Sequence, residues 1–530
     1  MNALAQKIIS DATEEFSKDI VIFQEDYGTK ITFDELNEDQ LREKLWETLF
    51  NYLSDNSQSS IHQHCLSALR ILSRDKTNLN ELVTDDRLNL ILGKAALKDA
   101  SVEEQTTFTD VTIEALKLLC NLIFNSTNVQ QASPTTSCLS CLIERMRQYN
   151  SSTSYNVMLF DTRILFLITA TNSSTRQIVK TNLRGDACLA KMLERIKNQC
   201  EKEKNGTIEV IESTMLVCEV LKALFNLYMH SDDLVDDQDK EEEEKNKYLI
   251  STLYKLLLFK CEKEDDLQSN IANLLTVVPY SCYSTFIPPT KEKGQHMFQG
   301  VNMSAVSVLL KFLDQRLKCK GDLIGNLSPI VTTLIRMAKT EKLIRKYTRL
   351  QILPPLKDVM HRPEEGTTLR AKLCKLLTSP LTELRDLVAE FLFILCKENV
   401  NRMVKYTGYG NAAGMFANKG LLFSKMIQAD YSSESEDSET EEYLKHREQI
   451  NPVTGCFELP KPNPLEGMSE EQKEYEAMQL VGLVDKLTRE GLVAPCRIGA
   501  DGKPKPIEHV LELHEQLSKQ QYRRDSDDSD

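Results

Sequence analysis

The chain has 530 residues, a formal net charge of −14, 27% charged and 41% hydrophobic residues, and only 19 Gly and 16 Pro. One hydrophobic core stops growing at roughly 250–300 residues, so this length demands several domains or an extended repeat array, and the scarcity of Gly and Pro favours helices over short strands joined by tight turns. The acidic balance excludes a general nucleic-acid binder, because a polyanion repels a polyanion.

The N-terminal MNALAQKIISDATEEF is amphipathic and carries acids, which is not a secretory signal pattern. No run reaches 18 uninterrupted apolar residues, so no membrane-spanning helix is expected. From about residue 34 to about 425, apolar residues recur at three and four, which predicts helix after helix. The clearest runs are 61–73, 111–125, 156–171, 184–198, 207–229, 246–260, 304–317, 322–338, 367–377 and 382–397. So many amphipathic helices cannot surround one core; stacking in successive layers lets each bury its stripe on a neighbour. The expected fold is therefore all-α, an armadillo/HEAT-like right-handed superhelical solenoid.

Within the first runs, Arg70 and Arg74 of LRILSRD stand at i, i+4 and can face the same way. They either pair with an acid such as Asp75 or form a clamp for a partner's carboxylate. Three later helices share an apolar–Asn–Leu step, at Asn121, Asn226 and Asn273. Asn is a poor core residue, so its repetition on inner helices predicts amides lining a groove for a bound chain; the alternative is that each amide bonds its own neighbours. The acidic SDDLVDDQDKEEEEK, 231–245, is expected as a flexible loop, since like charges resist packing. Arg345 and Lys346 in IRKYTRLQILPP form a further basic patch.

Evidence for covalent chemistry is thin. The cysteines sit singly in apolar runs, as Cys120, Cys218 and Cys396 do, and are expected as buried thiols in a reducing compartment. The one CxxC, Cys138–Cys141, lacks a second pair and a nearby His, so no metal is expected there. GYGNAAG at 408–414 has GxGxxxG spacing with no strand before it and fails the dinucleotide fingerprint. There is no phosphate-binding GxxxxGK[ST], no GxSxG, and His62 and His64 have no HExxH pattern. The chain is expected to be no enzyme and to hold no cofactor.

The tail opens with the acidic YSSESEDSETEEY, 431–443, in which Ser433 and Ser438 each have a Glu at +3. An acidophilic kinase of the casein kinase 2 type accepts that pattern; the alternative is an unmodified solubilising run. INPVTG (450–455) and LPKPNPLEGM (459–468) come next, rich in Pro and Gly. Residues 469–491 then predict one amphipathic helix, with Ser469 and Gln472 as a capping box and Ala477, Leu480, Val481, Val484 and Leu487 as its apolar face. The expected domains are a solenoid over 1–426, an acidic phosphorylatable linker over 427–468, a tail helix over 469–491 and a flexible C-terminus over 492–530, so the tail is largely disordered apart from that helix.

Several segments together resemble the synembryn family: LRILSRD, LKLLCNLIFNS, FDTRILFLITA, LKALFNL, LPPLKDVMHRPEEG, AEFLFILCKENV, KYTGYGNAAG, the acidic strip, INPVTG, PNPLEGMSEEQKEYEAMQLV and DKLTR. The matches run in order along nearly the whole chain, except around 231–245 and 276–300. The resemblance implies a solenoid that acts as guanine-nucleotide exchange factor and folding chaperone for GDP-bound, βγ-free α subunits of heterotrimeric G proteins. It implies that the α subunit's C-terminal helix is gripped in a concave groove, with Arg70, Arg74, Asn121 and Phe160 at family groove positions; Asn226 and Asn273 are added by the Asn pattern. It also implies that the tail helix touches the GTPase domain, that Ser433 and Ser438 are phosphorylated, and that the protein is a cytoplasmic monomer with a pool at the cell cortex. The competing function class is a passive armadillo-type peptide-binding scaffold or transport adaptor.

Overall fold

The computed structural model describes residues 2–10, 15–98, 108–134, 137–150, 152–202, 207–208, 211–229, 240–291, 294, 296–422, 440–459, 465–499 and 501–507. Helices dominate, and strands among the described residues are two or three residues long. The chain divides into two compact units, residues 1–286 and 287–530.

The first unit is a stack of helices two deep, layered as in armadillo and HEAT arrays. Its main helices are α1 (Asn2–Ser10), α2 (Phe16–Tyr27), α3 (Leu41–Ser54), α4 (His62–Leu72), α5 (Asp85–Lys94), α6 (Asp110–Asn125), α7 (Cys138–Arg147), α8 (Tyr155–Thr171), α9 (Gly185–Lys202), α10 (Ile211–Tyr228), α11 (Lys240–Leu258) and α12 (Glu264–Leu275). Helices α4, α6, α8, α10 and α12 pack in sequence, each on the next, and the others back them. The i, i+3, i+4 stripes expected from sequence supply the contacts: Leu116, Leu119, Leu122 and Ile123 of α6, Ile164, Leu165 and Ile168 of α8, and Val217, Val220, Leu221 and Leu224 of α10 are all buried. Each such side chain contributes roughly 1.5–3 kcal/mol relative to staying exposed. Local chemistry sets the ends: Thr84 and Thr109 cap α5 and α6 by accepting from Arg87 and Thr112 backbone N–H groups.

The structure corrects two expectations. Residues 240–245 of the acidic run are not loop but the opening of α11. Glu241, Glu242 and Glu243 occupy its first turn, where carboxylates suit the positive end of the helix dipole. Lys180 reaches Glu242 at 3.1 Å, and Lys247 reaches Glu243 at 2.8 Å. Residues 231–239 lie outside the described residues. Asp75, offered as a partner for Arg70 or Arg74, belongs instead to a buried cluster around Arg42 of α3, whose guanidinium donates to the Leu72 carbonyl at 2.9 Å and lies 4.0 Å from the Asp75 carboxylate.

The second unit contains α13 (Ser304–Arg316), α14 (Leu323–Thr340), α15 (Lys342–Ile352), α16 (Leu369–Leu376), α17 (Thr382–Leu395), α18 (Val400–Thr407) and α19 (Tyr409–Lys419). Two motifs that look separate in sequence form one joint. Gly408, at φ +73°, turns the chain from α18 into α19. The INPVTG turn sits against it: the Tyr409 N–H donates to the Pro452 carbonyl at 2.8 Å and the Gly410 N–H to the Val453 carbonyl at 2.9 Å. Gly455, at φ +72°, completes the fit, since a Cβ there would stand 2.8 Å from Pro363 Cγ and 3.0 Å from Gly408 Cα. Strands β1 (Ile450–Asn451) and β2 (Cys456–Phe457) pair antiparallel, and the Phe457 N–H donates to the Val359 carbonyl at 2.7 Å.

Residues 440–459, expected as part of a linker, are thus docked on the second unit; backbone hydrogen bonds outweigh the Pro and Gly content that resembles a loop. Beyond them, α20 (Glu470–Arg489) forms as expected, with the Ser469–Gln472 capping box in place. None of its residues is buried, and Tyr475, Met478, Leu480 and Leu483 are exposed. Residues 496–498 and 504–506, placed in a flexible C-terminus by sequence, pair as β3 (Cys496–Ile498) and β4 (Pro504–Pro506), with Ile507 buried beside them. Residues 508–530 lie outside the described residues.

Gly455→Ala should destabilise the second unit by about 2 kcal/mol, through a strained left-handed residue and a steric clash. A urea titration should show a lower midpoint, and limited proteolysis should cut faster near residues 440–459; an unchanged midpoint would show that the joint is not needed.

Candidate protein-interaction site

The five inner helices carry a repeated row of side chains at relative positions 0, 3 and 7, which fall on one helical face. The residues are Ser67 and Arg70 on α4, with Arg74 in the turn just after it; Glu114, Lys117 and Asn121 on α6; Phe160, Arg163 and Leu167 on α8; Glu219, Lys222 and Asn226 on α10; and Asp266, Ser269 and Asn273 on α12. On α6 and α10 the row has the same sequence, ExxKxxxN.

These side chains interlock between layers. Glu114 accepts from Arg70 Nε of the preceding helix at 3.0 Å and from Lys117 Nζ of its own at 2.7 Å. Glu219 repeats the arrangement, with Arg163 of the preceding helix at 2.8 Å and its own Lys222 at 3.4 Å. On α8 an aromatic ring replaces the acid: Lys117 lies 5.6 Å and Arg163 5.5 Å from the centre of the Phe160 ring. Charge and ring alternate as Arg70, Glu114, Lys117, Phe160, Arg163, Glu219 and Lys222. Burial lowers the Arg163 guanidinium, but the hydrogen bond and charge of Glu219 outweigh it and leave Arg163 above its ordinary value.

The glutamates are the sheltered members, with side chains 11% and 8% exposed, while Arg70, Lys117, Arg163 and Lys222 are 25–40% exposed. Within this row a trough of about 450 Å³ is lined by Arg70, Lys117, Asn121, Phe124, Phe160, Arg163 and Leu167, with Cys120 at its floor. Burial pushes the Cys120 thiol well above its ordinary value, so it is a packing group and not a nucleophile. Phe124 is 63% exposed and adds an apolar wall, with Lys76 5.5 Å from its ring centre.

The residues singled out by sequence separate into groups. Arg70, Asn121 and Phe160 come together in the trough. Arg74 does not join them: its Nη1 donates to the Gly28 carbonyl at 2.6 Å and the Lys30 carbonyl at 3.1 Å, tying α4 to the end of α2. Burial, with the charge of Arg70 adding, lowers its guanidinium below the ordinary value. The Asn amides serve mainly to bond neighbouring layers. Asn121 Nδ2 donates to the Arg70 carbonyl at 3.0 Å, and Asn226, 4% exposed, donates to the Phe166 carbonyl at 3.1 Å and to Thr169 Oγ1 at 3.0 Å. Asn273 is half-buried at the equivalent place on α12.

Arg345 and Lys346 belong to α15 in the second unit, and Arg345 Nη1 donates to the Ala338 carbonyl at 2.8 Å. Ser433 and Ser438 lie outside the described residues. Sequence reasoning missed Glu114, Lys117, Arg163, Glu219 and Lys222, although the repeated ExxKxxxN carries the signal. Cys138 and Cys141 are buried, no metal-binding cluster occurs among the described residues, and no described helix is long and apolar enough to cross a membrane.

Residues 65–503 match the family described as guanine nucleotide exchange factor synembryn. The chain is 38% identical over 510 residues to the chaperone Ric-8A of Danio rerio, covering 93% of this chain and 92% of that protein. It is 35% identical over 560 residues to the chaperone Ric-8 of Drosophila melanogaster, covering 94% and 95%.

Because Arg74 is tied to its own fold, Arg74→Ala should lower the stability of the first unit by about 1–2 kcal/mol. Differential scanning calorimetry would register this as a lower Tm; an unchanged Tm would return Arg74 to the groups available to a partner.

Proposed function

The chain belongs to the synembryn family of guanine nucleotide exchange factors, and from that membership we propose that it is an exchange factor and folding chaperone for GDP-bound, βγ-free G-protein α subunits. The observation that supports this reading best is the ladder of alternating charge. Four cations face two carboxylates, so each cluster of two cations and one glutamate retains one positive charge in a chain of net charge −14. A helix ending in a free carboxylate has the opposite pattern, since its C-terminal dipole is also negative. Phe160, Phe124 and Leu167 receive that helix's apolar side chains.

The mechanism is linkage. The α subunit's C-terminal helix packs against the elements that hold the guanine base. Drawing it into the ladder stabilises the open, nucleotide-free form, so GDP leaves; GTP with magnesium favours the closed form and expels the chaperone. Nanomolar nucleotide affinity corresponds to about 12 kcal/mol, more than one peptide contact supplies. The exposed apolar residues of α20 provide a second contact with the GTPase domain. The same surface shelters the helix of a newly made α subunit, which is the chaperone role. No covalent step and no cofactor is involved. The protein acts as a cytoplasmic monomer with a pool at the cell cortex. A casein kinase 2 type kinase modifies Ser433 and Ser438, and the basic α15, with Arg345 and Lys346, attracts the phosphorylated strip.

GDP release from a purified α subunit should accelerate when this chain is added. Lys117→Glu combined with Arg163→Glu should reduce that effect at least about tenfold, since each charge-assisted contact contributes about 1.5–3 kcal/mol. A passive scaffold would leave both GDP release and α-subunit folding yield unchanged, and that result would overturn the proposal.

Ending the chain after Leu459, which keeps the β1–β2 hairpin and removes α20 together with the β3–β4 hairpin, should leave a folded protein that still binds the C-terminal peptide but exchanges nucleotide poorly. Full exchange by this truncation would refute the second contact.

A further inference from the structure

A second concentration of positive charge lies apart from the ladder. The C-terminal end of α7 and the N-terminal half of α9 enclose a cleft of about 180 Å³ lined by Arg147, Arg184, Lys191 and Arg195, with Cys188 and Met192 among its walls. None of these residues lines the ladder trough. We propose that this cleft binds a compact phosphorylated ligand of the inositol-phosphate class, free in solution or as a lipid headgroup.

Two of the four cations are tethered to backbone carbonyls. Arg147 Nη2 donates to the Leu183 carbonyl at 2.6 Å, and Arg195 Nη1 donates to the Tyr149 carbonyl. These bonds hold two guanidinium planes in place, and each plane keeps further N–H donors for a ligand. A held guanidinium fork matches the geometry of phosphate oxygens. Arg184 and Lys191 are exposed and can close over the ligand. Arg184 sits at φ +52°, a left-handed backbone, directly before α9. Its contact with Glu241 is long, at 3.5 Å, between side chains 55% and 66% exposed. Two other carboxylates lie near: Glu144 pairs with Arg147 at 2.7 Å, with both side chains 42% exposed, and Asp186, in the first turn of α9, feels the charge of Arg184.

Charge density selects the ligand. One carboxylate would satisfy a single fork and leave the other cations crowded around a small space. A phosphate monoester carries about −1.5 to −2 charges and three acceptor oxygens on one atom. Several such groups on a compact ring place enough charge within reach of all four cations.

The full-length chain should be titrated calorimetrically with inositol trisphosphate, and tested for capture by phosphatidylcholine vesicles with and without a phosphoinositide. Saturable binding of the headgroup is expected. Lys191→Glu and Arg184→Glu should each weaken it at least about tenfold, while Lys311→Glu, on the exposed side of α13, leaves it unchanged. Headgroup binding with phosphoinositide-dependent capture supports the site and assigns the lipid source; headgroup binding without capture supports the site and assigns a soluble ligand. No headgroup binding, or equal weakening by Lys311→Glu, overturns the proposal. Circular dichroism of each variant confirms that the fold is retained.

Discussion

The first unit depends on the shared carboxylates that bind each charged row to the helix before it. Apolar packing holds helices together but is non-directional, so by itself it leaves the layers free to slide. Glu114 and Glu219 remove that freedom, because each must satisfy a cation from the preceding helix and one from its own. Asn121 and Asn226 add amide bonds to the preceding helix's carbonyls. Phe160 stands where α6 and α10 carry a glutamate. It joins the same cations through its ring face and leaves an apolar step between two charged clusters. The atoms that fix the register are therefore the atoms that set the surface pattern.

The second unit solves a different problem. Its tail has to return to the folded body before it can present anything, and the joint between Gly408 and Gly455 provides that anchor. Backbone hydrogen bonds to Pro452 and Val453 make the attachment independent of most side chains. The helix beyond this anchor is left unsatisfied. Helix α20 has its capping box and a Lys473–Glu470 pair at 2.7 Å, yet it shows Tyr475, Met478, Leu480 and Leu483 to solvent. Helices in proteins gain most of their stability from packing an apolar face, and this face lacks a covering surface among the described residues.

Much of this was legible in the sequence. The periodicity gave the helices from 61–73 to 382–397 and the tail helix with its cap, because a wide apolar stripe has few other ways to be buried. The Asn pattern marked three of the five helices that carry the row, but two of the amides bond the neighbouring layer. An amide on an inner helix reaches the neighbouring layer's carbonyls before it reaches any partner, as Asn226 does. Arg74 misled for the same reason: the i, i+4 spacing with Arg70 is real, but only the Arg70 side chain lines the trough. The ladder itself was missed because its members are ordinary surface types, and only the recurrence of ExxKxxxN across 105 residues, from Glu114 to Glu219, marks them. Docking of INPVTG was illegible because a Pro- and Gly-containing turn has the same composition whether it is bound or free. The acidic opening of α11 was mistaken for loop because charge repulsion was weighed without the helix dipole.

The ladder divides its labour between buried acids and exposed bases, and that division shapes what a partner experiences. Neutralising Glu114 or Glu219 would leave two neighbouring cations with no carboxylate between them, so the acids are bound to the fold. Lys117 and Lys222 reach water, and their contribution to register is smaller because exposed pairs are worth only about 0–1 kcal/mol. A trough walled by Phe124 and Phe160 strengthens the field of those cations toward anything that enters it. In the proposed function, an incoming carboxylate-ended helix meets a row whose cations outnumber its acids, and it can bind there without breaking the ties that keep the layers aligned.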